Sequence, residues 1–177
     1  MFIWYENHVS AGDDRMENLL VDIDFQNAPY HFNNALASDD ISPRIRIGRI
    51  RSEYLAIILE DIFGPSEIVT CWLIWNIRAR EIIPEGIPPI SVLSSPFHAV
   101  QGTNDFGTIG YRGPFHTADE GHTYYFNVYG LDARLDIPPG SDRRTLVNAM
   151  KGHLVQYGSG KVPLYTTRFL ARKITGP

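Results

Sequence analysis

The sequence predicts an all-β protein, an antiparallel β-sandwich with a few peripheral helices. Three features predict it. Several segments alternate apolar and polar residues with a period of two, as a strand with one buried face requires. Two short runs, Tyr54 to Leu59 and Val69 to Ile77, are apolar almost throughout and rich in β-branched or aromatic residues. Such runs mark strands covered on both faces. Strands do not take turns with helices, which disfavours a parallel α/β sheet.

The elements follow in order. Residues 1–18 are expected to form an N-terminal extension, and residues 19–177 the β-sandwich domain. The ordinary reading of residues 1–17 is a partly ordered arm; the sharper alternative is a strand that docks on the body or on a second copy in a homodimer, since a free tail would not normally carry Phe2, Ile3, Trp4 and Tyr5 exposed together. Leu19 to Phe25 alternates, placing Leu20, Ile23 and Phe25 near one face and Asp22 and Asp24 on the other. Arg44 to Ile47 alternates again. Between the two apolar runs, EDIFGPSE reads as a loop. Residues 78–96 read as a long irregular connection. His122 to Leu131 is a strand with Tyr124, Phe126 and Val128 on one face and Tyr125, Asn127 and Tyr129 on the other. Leu146, Ala149, Met150, His153, Leu154 and Tyr157 recur at helical spacing. That spacing predicts a helix over about 142–156, with Ser141 as a cap and Gly158-Ser159-Gly160 as its stop. A last strand is expected over Val162 to Leu170.

Composition narrows the function. The chain has 177 residues, 44% hydrophobic and 20% charged, which is enough apolar material for one sizeable core. The net charge of −4 and the lack of a basic stripe argue against a nucleic-acid partner. Cys71 is the only cysteine, so no internal disulfide and no multi-cysteine zinc site can form. The N-terminus lacks the basic and apolar regions of a signal peptide, and no apolar run approaches the roughly 20 residues of a membrane helix. A soluble cytoplasmic protein without an integral membrane segment is expected.

Binding chemistry is expected around Val100 to Tyr129. This stretch is glycine-rich, carries His116, His122, Asp119 and Glu120, and runs directly into an aromatic strand. Glycines let a backbone approach a ligand closely, and a strand behind them gives rigid support. The histidines and carboxylates could hold zinc, with His98 nearby, but solvated loop side chains are the ordinary reading.

At this point the motifs resemble the phosphatidylethanolamine-binding protein family, in its bacterial and archaeal Raf-kinase-inhibitor-like branch. Asp40-Ile41-Ser42-Pro43 resembles an early D-[IV]-S-P element. Glu60-Asp61, with Pro65 four residues on, resembles a D-P-D-x-P loop. Val100-Gln101-Gly102, Asn104-Asp105-Phe106-Gly107, Gly110-Tyr111 and Gly113-Pro114 resemble the long glycine-rich motif. Gly121-His122 with Tyr124 resembles the G-x-H-R-Y strand, and Leu135 to Gly140 completes the order. The resemblance covers roughly residues 19–168. It implies a Greek-key sandwich with a small pocket at one end that takes phosphate, acetate or a phosphoethanolamine head group. It implies no cofactor and no general catalytic reaction, and some members inhibit kinases or serine proteases.

Carried over residue by residue, the resemblance implies a ligand-binding set of Asp61, Cys71, Gly113, Pro114, His122 and Tyr124. Asp61 would orient an imidazole or receive a ligand ammonium; the alternative is a turn-capping aspartate. His122 and Tyr124, two apart on a strand, share a face and offer an N–H and an O–H to an anion. A satisfied core pair is the alternative. The sequence also departs from the pattern. Counting back from Asn76, Cys71 stands where the family has a histidine, and Thr123 stands where it has an arginine. Ile62 and Phe63 replace the first proline and second aspartate of the loop. Each lost charge-assisted hydrogen bond is worth roughly 1.5–3 kcal/mol when buried. The expectation is a non-catalytic binding protein for a small anionic or zwitterionic ligand, weak for phosphate. Two other readings stand beside it: an interaction module that inhibits a kinase or protease, and a hydrolase built on Cys71, His122 and Asp61.

Overall fold

The computed structural model describes residues 18–24, 40–63, 67–113 and 122–164. Among them are nine strands and one helix. In chain order these are β1 (Leu20–Asp24), β2 (Arg44–Gly48), β3 (Tyr54–Phe63), β4 (Glu67–Arg78), β5 (Ile82–Ile83), β6 (Val92–Leu93), β7 (Ala99–Gln101), β8 (His122–Leu131), α1 (Arg143–Met150) and β9 (Leu154–Leu164). They build a three-stranded sheet, β1-β2-β5, and a six-stranded sheet, β6-β7-β4-β3-β8-β9. Every strand pair is antiparallel.

The apolar runs explain the layering. Residues of β3 alternate between two cores. Leu55, Ile57 and Leu59 face the small sheet and pack with its Ile45, Ile47 and Ile83. Ala56 and Ile58 face the other way, against Leu146, Val147 and Met150 of α1. The large sheet is therefore covered on both faces at its centre, which is why β3 and β4 carry so few polar residues. Each fully buried Ile or Leu contributes roughly 1.5–3 kcal/mol, so the two central strands are the main stabilising element.

Four expectations are corrected. In β1 the inward residues are the odd ones. Val21 and Ile23 pair in register with Ile47 and Ile45, whose side chains face the core, and Leu20 is 53% exposed. Phe25 lies outside the described residues. The expected loop at Glu60 is strand: β3 continues to Phe63 and pairs through Ile62 with Ile68. Its two carboxylates stay on the strand because each has a partner there, as described below. The helix is shorter than its spacing suggests, and its cap is Asp142, which accepts from the Thr145 amide at 2.8 Å. Ser141 instead donates to the Pro138 carbonyl. After Gly152, at φ +83°, the chain turns and β9 begins at Leu154 rather than at 162. Gly158 and Gly160 lie inside β9 and do not stop a helix. A Cβ on Gly158 would stand 2.4 Å from the Leu19 carbonyl oxygen, and one on Gly160 2.9 Å from Ile23. These glycines let β1 lie directly on β9, where the Leu19 amide donates to the Tyr157 carbonyl at 2.9 Å.

Candidate functional site

Asp61 and Tyr124 are register partners on β3 and β8, so their side chains share a face. The Tyr124 hydroxyl donates to Asp61 Oδ2 at 3.0 Å. Cys71 joins them through an irregularity in β4. Leu59 pairs with Trp72 and Glu60 with Thr70, so Cys71 is the extra residue of a bulge. A bulge re-aims a side chain, and here both Cys71 and Trp72 face the inter-sheet core. The thiol is 1% exposed and lies 3.6 Å from the Val69 carbonyl oxygen, toward which it donates. Burial first, and then the Asp61 charge, push its pKa up to about 12. A thiol held protonated in this way opposes the activated thiolate that a cysteine nucleophile needs.

The glycine-rich segment wraps the same end of the sheet, and its polar groups are committed internally. Asp105 accepts from the Thr70 amide at 2.7 Å and donates its own amide to the Thr70 carbonyl at 3.0 Å. Asn104 closes the turn by accepting from the amides of Phe106 and Thr108. The side-chain oxygen of fully buried Gln101 accepts from the Trp72 indole at 2.7 Å, and its amide donates to the carbonyls of Pro88 and Ile90. The Arg112 amide donates to the Cys71 carbonyl at 3.0 Å, which brings Gly113 beside the cysteine strand. Asp40 then locks this corner: its carboxylate accepts from the Gly113 amide at 2.8 Å and from Arg112 Nη1 at 2.9 Å.

Of the six expected ligand-binding residues, Asp61, Cys71 and Tyr124 come together, and Gly113 lies in the adjoining loop. The His122 backbone opens β8 opposite Leu164, two residues before Tyr124; its side chain and Pro114 lie outside the described residues. His116, Asp119 and Glu120 also lie outside them. His98 lines a cleft at the other end of the large sheet. Among the described residues, no group of three His, Cys, Asp or Glu side chains is placed to hold a metal.

The family model described as phosphatidylethanolamine-binding protein matches residues 22–162. A UPF0098 protein of Pyrococcus abyssi is 44% identical over 122 residues, which are 67% of this chain and 68% of that protein. The chain belongs to the phosphatidylethanolamine-binding protein family. A UPF0098 protein of Pyrococcus horikoshii is 43% identical over 67% of this chain and 62% of its own length. For one of Archaeoglobus fulgidus the identity is 39%, over 68% of this chain and 41% of the relative. The match thus spans less than two-thirds of these last two proteins. Among solved structures, the phosphatidylethanolamine-binding protein homolog CT736 of Chlamydia trachomatis superposes with a TM-score of 0.61 at 28% identity, over 71% of this chain and 81% of that one. Escherichia coli YbcL superposes with a TM-score of 0.63 at 21% identity, over 71% and 80%, and shows the shared fold. Among the described residues of this family member, no helix is long and apolar enough to cross a membrane.

A polar network on the opposite face of the same strands was not foreseen. Glu60, next to Asp61, points away from it toward α1 and is 0% exposed. Its Oε1 accepts from Arg143 Nε at 2.7 Å, and its Oε2 from the Asn127 amide at 2.9 Å. Asn127 in turn accepts from the Tyr157 hydroxyl at 2.8 Å. Burial raises the Glu60 pKa above its ordinary value, and Arg143 pulls it back only in part. The available signal was the period of two: consecutive carboxylates on a strand must face opposite ways, so only one of Glu60 and Asp61 could line the expected pocket.

Proposed function

We propose that this family member is a non-catalytic binding protein whose pocket, around Asp61, Cys71 and Tyr124, takes the ammonium end of a small zwitterion such as phosphoethanolamine and binds free phosphate weakly. The observation that carries this reading is the hydrogen bond from Tyr124 to Asp61. The phenol is already spent as a donor to a carboxylate. The Gly113 amide and Arg112 Nη1 are bound to Asp40. Cys71 adds only a neutral thiol, a weak donor. The Tyr124 hydroxyl, the Gly113 amide and Arg112 Nη1 are thus already bound to carboxylates rather than open to an oxyanion, while the Asp61 charge favours a cation beside it. Pro114 and His122 are assigned to the same pocket on the family resemblance.

The test is a titration with O-phosphoethanolamine followed by backbone amide shifts. The expected shifts cluster on Asp61, Cys71, Gly113 and Tyr124, and Asp61→Asn abolishes them. Shifts confined elsewhere, or an Asp61→Asn variant that binds as well as the parent, would overturn the assignment.

A further inference from the structure

A second cleft, of about 620 Å³, opens at the far end of the large sheet. Tyr54 and Asp61 mark the two ends on β3. Seven residues at ~3.3 Å each separate them by roughly 23 Å, so this cleft is distinct from the pocket above. We propose that it is a ligand site for a small organic anion with a flat apolar body.

The floor is apolar and buried, formed by Leu93 and Ala99, and the wall is the half-buried ring of Phe97. The rim is cationic. Arg78 enters from the end of β4, Arg134 from the connection between β8 and α1, and the imidazole of His98 stands with them. Among the described residues, no carboxylate lines the cleft. The Arg78 guanidinium lies over the Tyr54 ring at 5.3 Å, and Arg80 lies over Phe97 at 4.6 Å, which adds positive charge behind the wall. Arg78 Nη1 donates to the Tyr54 hydroxyl at 3.3 Å and lies 3.6 Å from Glu53, in a pair whose side chains are 74% and 63% exposed. An exposed pair of that kind holds little energy and yields readily to a better anion. Among the described residues Arg134 makes no ion pair.

The position of Arg134 is built rather than incidental. Asn76 takes a left-handed conformation, φ +58°, at the second irregularity of β4. Its side chain accepts from the Leu135 amide at 2.8 Å and donates to the Leu135 carbonyl at 3.0 Å. That clamp fixes the residue next to Arg134 against the sheet end. A volume in the range of small-ligand sites, an apolar interior and a few convergent charges of one sign are the features of an organic-anion pocket. Planar guanidinium groups suit a carboxylate, sulfonate or phosphate head.

The test uses naphthalene-1-sulfonate, titrated by calorimetry into the wild type, Arg134→Glu, Arg78→Glu and Asp61→Asn. Both arginines are exposed, so these variants are expected to fold, and unchanged melting curves verify it. The wild type should bind one equivalent. Each charge reversal should weaken binding by about fivefold or more, and raised salt should weaken it too. Asp61→Asn should leave it unchanged, whatever becomes of the zwitterion pocket. No saturable binding, binding indifferent to both arginines, or binding lost in Asp61→Asn would each overturn the proposal.

Discussion

Replacing Arg143 with alanine should unfold the protein more readily at neutral pH than at acid pH. Arg143 Nε is 2.7 Å from Glu60 Oε1, and the Glu60 side chain is completely enclosed. Removing one partner of a buried pair costs roughly 3–5 kcal/mol, because the other charge is left uncompensated. Two features reduce that figure here. The Arg143 side chain is 34% exposed, so water can enter its place, and Asn127 keeps its bond to Glu60 Oε2. The expected loss at pH 7 is therefore about 3 kcal/mol. The pH dependence follows from the direction of the Glu60 shift. Its folded pKa is already raised above the ordinary 4.5 by burial, and losing Arg143 raises it further. Above pH 4.5 the unfolded chain releases this proton while the folded variant retains it. Stability of the variant must then fall as pH rises through that window, and the deficit must shrink below it, where both states are protonated. Urea unfolding of both proteins across pH 4 to 8 measures this. The double variant Glu60→Gln/Arg143→Ala should recover most of the loss at pH 7. A deficit under about 1 kcal/mol that does not vary with pH would refute the reasoning.

Other outcomes follow from the same geometry. The folded Cys71 thiol keeps its proton up to about pH 12, against 9.0 unfolded. Stability should therefore decline between those values by roughly 4 kcal/mol more in the wild type than in Cys71→Ala, read from alkaline unfolding curves. Native Cys71 should resist iodoacetamide near neutral pH and react once urea unfolds the chain; rapid labelling of the folded protein would contradict its burial. Tyr124→Phe removes the phenol from Asp61 and should cost about 1–2 kcal/mol in urea unfolding. Gly158→Ala places a Cβ against the Leu19 carbonyl and should lower the melting temperature, with Ser159→Ala as the neutral control on the exposed face.

Much of the architecture was legible because burial on both faces leaves a plain trace. A strand sandwiched between two cores cannot carry polar residues, and Tyr54–Leu59 and Val69–Ile77 carry almost none. The boundaries were less legible. Leu154 and Tyr157 continue the helical spacing of α1, yet their backbone groups pair with β8, and tertiary pairing overrides local periodicity. Gly158 and Gly160 look like a helix stop from sequence alone, since nothing local reveals that β1 will press on them. The site divided in the same way. The family motifs placed Asp61, Cys71 and Tyr124 in one neighbourhood. They did not reveal that Asn104, Asp105 and Gln101 are spent holding the loop, because a side chain that binds its own backbone and one that binds a ligand read identically in sequence. Nor did they reveal Arg143 beneath Glu60, a contact between residues 83 apart in the chain.

The most direct measurement is a calorimetric comparison of O-phosphoethanolamine and inorganic phosphate with the wild-type protein under one buffer. The zwitterion should bind at least about tenfold more tightly, a difference of about 1.4 kcal/mol, with phosphate needing millimolar concentrations. Phosphate binding at micromolar concentration, or equal affinity for the two, would contradict a pocket organised around the Asp61 charge.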